Sequence, residues 1–236
     1  MIGLSTTAIG MRPMTAAIEI YHKLQEPLSL EYLELAIGTC NDLTNIPPDV
    51  PLVIHDRALY QGTQRLPFSL MNPNSWCAYR SLTQQRSVLA LSIHPPRLHE
   101  AEQDDLRTAR SKLEDYLEIP VLIEVMPSCE YHNSKNSIIP AVPLLLDVSH
   151  INLWYKGDVE AVKHAVKQLL PHSVGIHLSH NNGKADSHEL IPREIWFSEF
   201  IEDWGRSLFV TYESLPEHYQ QFERLDKQKR HKSTKN

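Results

Sequence analysis

The chain has 236 residues, of which 42% are hydrophobic, and carries a formal net charge of −6 with histidine counted as neutral. This length is sufficient for one sizeable core. The acidic balance, and the lack of a long basic stripe before the C-terminal tail, argue against tight nonspecific binding to a nucleic-acid backbone.

Eight short apolar runs, each followed by polar or ionisable residues, recur along the chain. Near-continuous apolar runs bounded by turn residues are typical of parallel strands that are covered on both faces. In chain order the runs are IGLSTTAIG, LEYLELAIG, PLVIHD, SVLALSIHPP, PVLIEVMPS, VPLLLDVSH, SVGIHLSH and SLFVTYES.

Helix-like stretches lie between several of these runs. MTAAIEIYHKLQE is expected to be the first helix, and LHEAEQDDLRTARSKLEDYLE repeats leucine among charged residues. DVEAVKHAVKQLL begins at Asp158, a favourable N-cap, and repeats Val and Leu at helical spacing. IPREIWFSEFIEDWG has Pro192 near its start and Gly205 past its expected end. The stretch from Ala58 to Gln85 and the segment SCEYHNSKNSIIPAV have little pattern and are predicted to be loops.

Eight strand signals that alternate with helices predict an α/β fold, a compact single-domain (β/α)8 TIM barrel. We expect the barrel to occupy residues 1–225. Residues 226–236 contain the basic run KQKRHKSTKN and are expected to form a flexible, solvated tail.

Ionisable residues close six successive apolar runs, and in a parallel barrel such strand ends meet at one mouth. A single histidine or carboxylate there is usually a rim residue or a helix cap. Several carboxylates buried side by side need a compensating cation, so the pattern predicts a metal site. Imidazole and carboxylate ligands without thiolate suit Zn, Mn or Fe. The candidate ligands are His55, His94, Glu124, Asp147, His150, His177, Asp186, His188 and Glu213.

Two features of this set are predicted in more detail. Glu124 lies in the middle of the series and is expected to bridge metal ions. Asp186 and His188 are expected to form an arm that folds back through the turn at 181–183, with both side chains pointing the same way from extended backbone. Pro192 would then start the next helix, and His180 is expected at the rim. The alternative for the arm is a flexible surface loop with a helix-capping aspartate.

The order His, His, Glu, D-x-x-H, His, D-x-H, Glu resembles the xylose isomerase-like TIM-barrel superfamily, which includes sugar isomerases, epimerases and endonuclease IV. The resemblance implies nine ligands for two or three divalent metal ions (Fe, Zn or Mn). The segments PVLIEVMPS, PLLLDVSHINLW and DSHELIPREIW are also similar to the DUF692 family of multinuclear non-haem iron oxidases, which modify peptide cysteines.

These resemblances imply a metal-dependent enzyme, specifically an iron oxidase that acts on a peptide or thiol-containing substrate. A phosphodiester hydrolase, a mononuclear isomerase or epimerase, and a non-catalytic barrel remain alternatives. The isomerase would need only Glu124, Asp147, His177 and Glu213. In the multinuclear enzyme, Glu124, His177 and Glu213 are the expected catalytic residues.

The remaining expectations concern partners and location. We expect a small-molecule or peptide substrate, no stable nucleic-acid binding and no membrane association, and the oligomeric state cannot be read from the sequence. Arg57, Arg97 and Lys184 lie near predicted strand ends and could hold a substrate anion, although surface charges are the simpler interpretation. The N-terminus lacks the pattern of a signal peptide, and no CxxC pair is present, so a cytoplasmic protein is expected.

Overall fold

The computed structural model describes residues 1–10, 13–36, 46–61 and 64–222, so the predicted tail lies outside the described residues. Eight parallel strands, taken in chain order, close into a barrel, and each coincides with one predicted apolar run. The predicted (β/α)8 fold is confirmed. The strands are β1 (Ile2–Ser5), β2 (Tyr32–Leu35), β3 (Leu52–His55), β4 (Tyr60–Gln61), β5 (Gln64–Arg65), β6 (Val88–Ile93), β7 (Val121–Glu124), β8 (Leu144–Asp147), β9 (Ser173–Leu178) and β10 (Phe209–Tyr212).

Helices connect most of the barrel strands, while β4 and β5 pair as a small antiparallel ribbon outside the barrel. The helices are α1 (Thr6–Ile9), α2 (Met14–Gln25), α3 (Cys77–Gln85), α4 (Gln103–Leu117), α5 (Val148–Trp154), α6 (Val159–Leu169) and α7 (Ile201–Gly205). Helices α2, α4 and α6 confirm three predictions, and the Asp158 side chain caps α6 by accepting from the Ala161 N–H at 3.2 Å. In the described part of the chain, no helix combines the length and apolar character needed to cross a bilayer.

Two helix predictions were wrong. The stretch IPREIWFSEFIEDWG becomes α-helical only at α7. Pro192 therefore does not start a helix, and Gly205 is the last residue of α7 instead of lying past its end. The cause is the backbone of Ile191, whose N–H donates to the Leu215 carbonyl and whose carbonyl accepts from the Glu217 N–H, both at 2.9 Å. These two hydrogen bonds hold the start of the stretch against the loop after β10. The region from Ala58 to Gln85, predicted as loop, contains the nine-residue helix α3.

The barrel interior has two layers, which follow from the two-residue period of strands. The lower layer is apolar and closes the bottom of the barrel. It consists of Tyr32, Val53, Ala90, Leu122 and Leu145. Gly3 makes room for this layer, because a Cβ atom at that position would lie 2.2 Å from the Tyr32 ring.

The layer above is polar. On each strand, its residue lies two positions later in the sequence than the inward-facing residue of the lower layer. The upper layer therefore consists of inward-facing positions near the C-terminal ends of the strands. Its members are Ser5, Glu34, His55, Ser92, Glu124, Asp147, His177 and Glu213. All of them are buried, so the fold itself places several ionisable groups together in the mouth of the barrel.

Candidate metal centre

The structure brings all nine predicted ligand residues together at the C-terminal mouth of the barrel. Eight of them line one cavity of about 180 Å³, together with Thr7. The ninth, His177, is completely buried, and its ring centroid lies 5.7 Å from that of His55.

His55 and His94 direct their Nε2 atoms toward the Glu124 carboxylate. The Nε2 atoms lie 3.5 Å and 3.6 Å from Glu124 Oε2, and 3.3 Å from each other. The His55 Nδ1 atom is 2.8 Å from the Ser92 hydroxyl, and His94 Nδ1 is 2.8 Å from Asp56 Oδ1. Because each outer nitrogen has a hydrogen-bond partner, each inner nitrogen is available as a ligand. This is the arrangement by which outer-shell groups orient metal-binding histidines.

Asp147 and His150 come from the junction of β8 and α5, where the strand passes directly into the helix. Asp147 Oδ1 caps the helix by accepting from the backbone N–H groups of Ser149 and His150, at 2.7 and 3.1 Å. Its Oδ2 atom is left 3.5 Å from His150 Nε2. The ring of His150 is fixed because its Nδ1–H donates to the Val125 carbonyl at 2.7 Å. His150 therefore lies in the first turn of α5.

His177 lies between two buried carboxylates, one of which the sequence did not predict. Its Nε2–H donates to Glu34 Oε2 at 2.9 Å, and its Nδ1 atom lies 3.2 Å from Glu213 Oε1. Glu34 faces inward from β2 and is fully buried. It thus fixes the ring of His177 and leaves Nδ1 directed at the site.

Asp186 and His188 approach from the loop after β9. Asp186 Oδ2 lies 3.2 Å from His150 Nε2, and His188 Nε2 lies 3.5 Å from Asp186 Oδ1. His188 Nδ1 is 3.8 Å from Glu213 Oε2. The expected extended backbone is wrong at His188, whose φ of 44° lies in the left-handed region. This conformation turns the His188 side chain toward Glu213.

The turn at the start of this loop is held against α5. Asn152 donates to both the backbone and the side-chain oxygens of Asn181, at 3.0 and 2.8 Å, and Asn181 donates to the Ser149 carbonyl at 2.9 Å. Gly183 has a φ of +74°, and a Cβ atom there would lie 2.3 Å from the Gly157 nitrogen. The arm is therefore anchored at its base, unlike a free surface loop. His180 lies outside the ligand cavity and is half-buried.

Among the described residues, the histidines of the mouth lie close to its carboxylates and interact with them electrostatically. Burial alone would lower the pKa values of His94 and His150, but neighbouring carboxylates, led by Glu124 for His94 and Asp147 for His150, raise them to about 9 and about 10. Burial, with help from Glu213 and Glu124, raises the pKa of Asp147 to about 6 against the opposing effect of His150. The clustered carboxylates therefore favour positive charge beside them, which bound cations would supply.

Several buried atoms in the described part of the site have no hydrogen-bond partner. They are Glu34 Oε1, Glu124 Oε2, Asp147 Oδ2, His177 Nδ1 and Glu213 Oε2. A buried polar atom without a partner costs about 1–3 kcal/mol. Because these atoms point into one region and are all of types that bind divalent metals, the residues fit metal ions well.

Three groups among the described residues have ligand atoms within 4.8 Å of one another. They are His55–His94–Glu124, Glu34–His177–Glu213 and Glu124–Asp147–His177. Glu124 belongs to two groups and His177 to two, so the groups form one continuous centre. Glu124 lies where two of the groups meet, and its role as a bridge between ions stays a prediction.

Sequence reasoning missed two residues of the centre, Glu34 and Asp56. Asp56 directly follows His55 and holds His94 through the hydrogen bond to Nδ1. Burial opposes ionisation of Asp56, but its hydrogen bond with His94 and the nearby charges lower its pKa. Glu34 was detectable as an acidic residue inside the apolar run LEYLEL, at the inward-facing position two residues after Tyr32.

Comparisons with known proteins support the fold. No family model matches the chain, and no curated protein matches it. Among solved structures, it is similar to a candidate xylose isomerase from Rhodospirillum rubrum, with a TM-score of 0.57, 14% identity, and 91% of this chain and 90% of that chain covered.

Two further structures are similar over comparable lengths. One is a 3-keto-D-glucoside 4-epimerase from E. coli, with a TM-score of 0.54, 11% identity, and 91% and 92% of the two chains covered. The other is an AP endonuclease of family 2 from Brucella melitensis, with a TM-score of 0.53, 12% identity, and 92% and 93% covered. At these identities the likeness shows the fold alone: the chain is a (β/α)8 TIM barrel.

Proposed function

We propose that the chain is a multinuclear metal-dependent enzyme that holds two or three divalent ions in the mouth of its barrel. The observation that carries the proposal is the convergence of buried imidazole and carboxylate atoms that have no hydrogen-bond partner. The outer nitrogens of His55, His94, His150 and His177 are each next to a protein hydrogen-bond partner, which leaves the inner nitrogens for metal.

The proposed reaction is the oxidation of a thiol-containing small molecule or peptide by dioxygen at ferrous ions. Its support is the resemblance of the segments around Glu124, Asp147 and His188 to the iron oxidases, together with a ligand set that lacks thiolate and suits iron. Bound ions would supply electron transfer and polarise the substrate. The residues of the chain would orient the ions, and the arm of Asp186 and His188 would cover them.

Metal-assisted hydrolysis of a phosphodiester is the second candidate. The observation in its favour is that two neighbouring ligand groups share Glu124, because two ions held by a bridging carboxylate can activate water and stabilise a leaving oxygen. A mononuclear isomerase explains the geometry less well, since it gives no role to the paired Nε2 atoms of His55 and His94.

Metal analysis of anaerobically purified protein tests the proposal. We expect two or three equivalents, with iron favouring the oxidase and zinc the hydrolase. Glu124→Gln keeps the shape and removes the charge, so it should lose at least one equivalent and the activity. Glu202→Gln, on the exposed face of α7, is the matched control and should keep both. Full metal content in folded Glu124→Gln would refute a bridging role.

The arm requires a separate test. A double variant, Asp186→Ala with His188→Ala, should lose one metal equivalent and activity while the circular dichroism spectrum stays unchanged. Unchanged metal stoichiometry would show that these two residues are not metal ligands. The metal centre would then consist of Glu124, Asp147, His177 and Glu213.

A further inference from the structure

A second cavity, of about 610 Å³, opens beside the metal centre above the loops that follow β3, β6 and β7. Its volume lies in the range of small-molecule binding sites. His94 lines both this cavity and the ligand cavity, so the two spaces meet at that residue. A molecule bound here would reach the metal centre from the side of His94.

One part of the cavity is apolar. It is formed by Leu70, Met71, Pro95, Pro96 and Met126. The Met71 side chain is unusually exposed for a large apolar residue, with 39% of the residue accessible. These side chains would favour an apolar portion of a bound molecule.

Two arginines line the same cavity from neighbouring loops. The Arg57 and Arg97 side chains are 57% and 47% exposed. Their ion pairs are long: Arg57 Nε lies 3.7 Å from Asp56, and Arg97 Nη1 lies 3.9 Å from Glu130. Both distances exceed those of a direct hydrogen bond, so neither arginine is firmly engaged by these carboxylates. Arg97 also lies over the ring of Tyr131, another residue of this cavity, with its Cζ atom 5.5 Å from the ring centroid.

The acidic residues of the cavity are engaged by other groups. Asp56 accepts a 2.8 Å hydrogen bond from His94, and Glu100 accepts one of 2.8 Å from the backbone N–H of Arg97. The backbone of Arg57 is itself fixed, because its N–H donates to the Tyr79 hydroxyl at 3.0 Å. The two guanidinium groups are thus the groups best placed to bind an anion in this cavity.

We propose that this cavity is the substrate subsite, and that it binds a small molecule with an anionic group, a carboxylate or a phosphate, on an apolar body. Arg57 and Arg97 bind the anion, the apolar wall packs against the body, and the reacting end lies at His94 and Glu124. The inference deepens the proposed function and rests on it, since the metal centre defines the reacting end. Lys184, the third cation considered from the sequence, lies outside this cavity.

Titration calorimetry on the purified full-length chain tests the subsite. Benzoate and phenyl phosphate are the anionic probes, and benzyl alcohol is the neutral one. We expect at least one anion to bind more tightly than benzyl alcohol. The anion that binds more tightly shows whether the anionic group of the substrate is a carboxylate or a phosphate. Arg97→Ala and Arg57→Ala should each weaken its binding by about tenfold, the effect of losing a charge-assisted hydrogen bond.

Two controls make this result specific. Arg206→Ala removes an exposed arginine whose partner is Asp203, at the other end of the barrel, and should leave binding unchanged. Arg97→Lys keeps the charge but loses the planar fork, so its effect should be smaller than that of Arg97→Ala. Unchanged binding in Arg57→Ala and Arg97→Ala, equal weakening in Arg206→Ala, or equal binding of benzyl alcohol would overturn the subsite.

Metal content measured on the same samples separates this inference from the proposed function. Protein without metal whose anion binding still depends on the arginines would refute the metal centre and keep the subsite. Protein that contains metal but binds the anions independently of both arginines would refute the subsite and keep the metal centre.

Discussion

The metal centre has two sides that differ in access to solvent. The cavity side (His55, His94 and Glu124) reaches the large cavity through His94, whose side chain is 27% exposed. The sealed side (Glu34, His177 and Glu213) is almost closed, with His177 fully buried between two carboxylates. The difference in access indicates different roles, in which the residues of the sealed side bind metal and those of the cavity side also contact the substrate.

The largest expected effect comes from breaking the sealed side. His177→Gln removes the cation that faces Glu34 and Glu213, and an unpaired buried charge costs about 3–5 kcal/mol. Its counterpart on the cavity side, His94→Gln, should cost less, about 1–3 kcal/mol, because Arg57 remains near Asp56. Urea unfolding of the metal-free variants measures both losses. Equal losses would remove the distinction between the two sides.

Metal removal is expected to have the next largest effect. Protein shown to contain metal should melt at a lower temperature after chelation, because bound ions stabilise the folded state by about 4 kcal/mol at a concentration one thousand times Kd. The barrel should stay folded, since its apolar layers do not depend on metal. Scanning calorimetry with circular dichroism measures this, and equal melting temperatures before and after chelation would contradict it.

A pH dependence follows from the raised histidine pKa values. In metal-free protein, the ion pairs of His94 and His188, both with a pKa of about 9, stabilise the fold fully below their unfolded value of about 6.5. That stability is lost as pH rises through about 9. Metal binding needs neutral histidines, so it strengthens over the same interval.

The difference in melting temperature between metal-loaded and metal-free protein should therefore widen from about pH 6.5 to about pH 9. Calorimetry at several pH values in one series of buffers measures it. A difference that stays constant or narrows over this interval would show that the histidines do not exchange protons for metal.

The smallest expected effect concerns the base of the arm. Asn152→Ala removes two hydrogen bonds to Asn181 and should cost about 1 kcal/mol while speeding metal loss to a chelator. Asn182→Ala is the matched control, because among the described residues that side chain bonds within its own turn, to the Lys184 N–H. Equal rates of metal loss in the two variants would mean that the anchor to α5 does not hold the arm.

The strands and most of the metal centre could be predicted, because each strand is an apolar run and the ionisable residue at its end marks where it stops. Apolar runs end at His55, Glu124 and Asp147, and the closed barrel brings such ends to one mouth. Glu34 was not predicted, because its run continues past it and only the strand register shows which residues face inward. In the structure Glu34 pairs with Val53 of β3, one layer above Tyr32.

Helix boundaries were less predictable for a different reason. In α3 the buried apolar residues are Tyr79 and Leu82, which is too short a pattern to distinguish a helix from a loop. Asp147 serves both as the end of β8 and as the cap of α5, so no loop residues mark the boundary between them. At Pro192, a tertiary contact of the preceding residue overrides the local helix signal.

Anomalous X-ray diffraction from anaerobically grown crystals of the purified protein would locate the metal ions in the barrel mouth. We expect two or three peaks there, one of them within about 2.0–2.2 Å of His55 Nε2, His94 Nε2 and a Glu124 oxygen, the distances of metal–ligand bonds. A further peak is predicted beside His177 Nδ1 and Glu213. A mouth without peaks, in protein whose nine ligand residues are well ordered, would contradict the account.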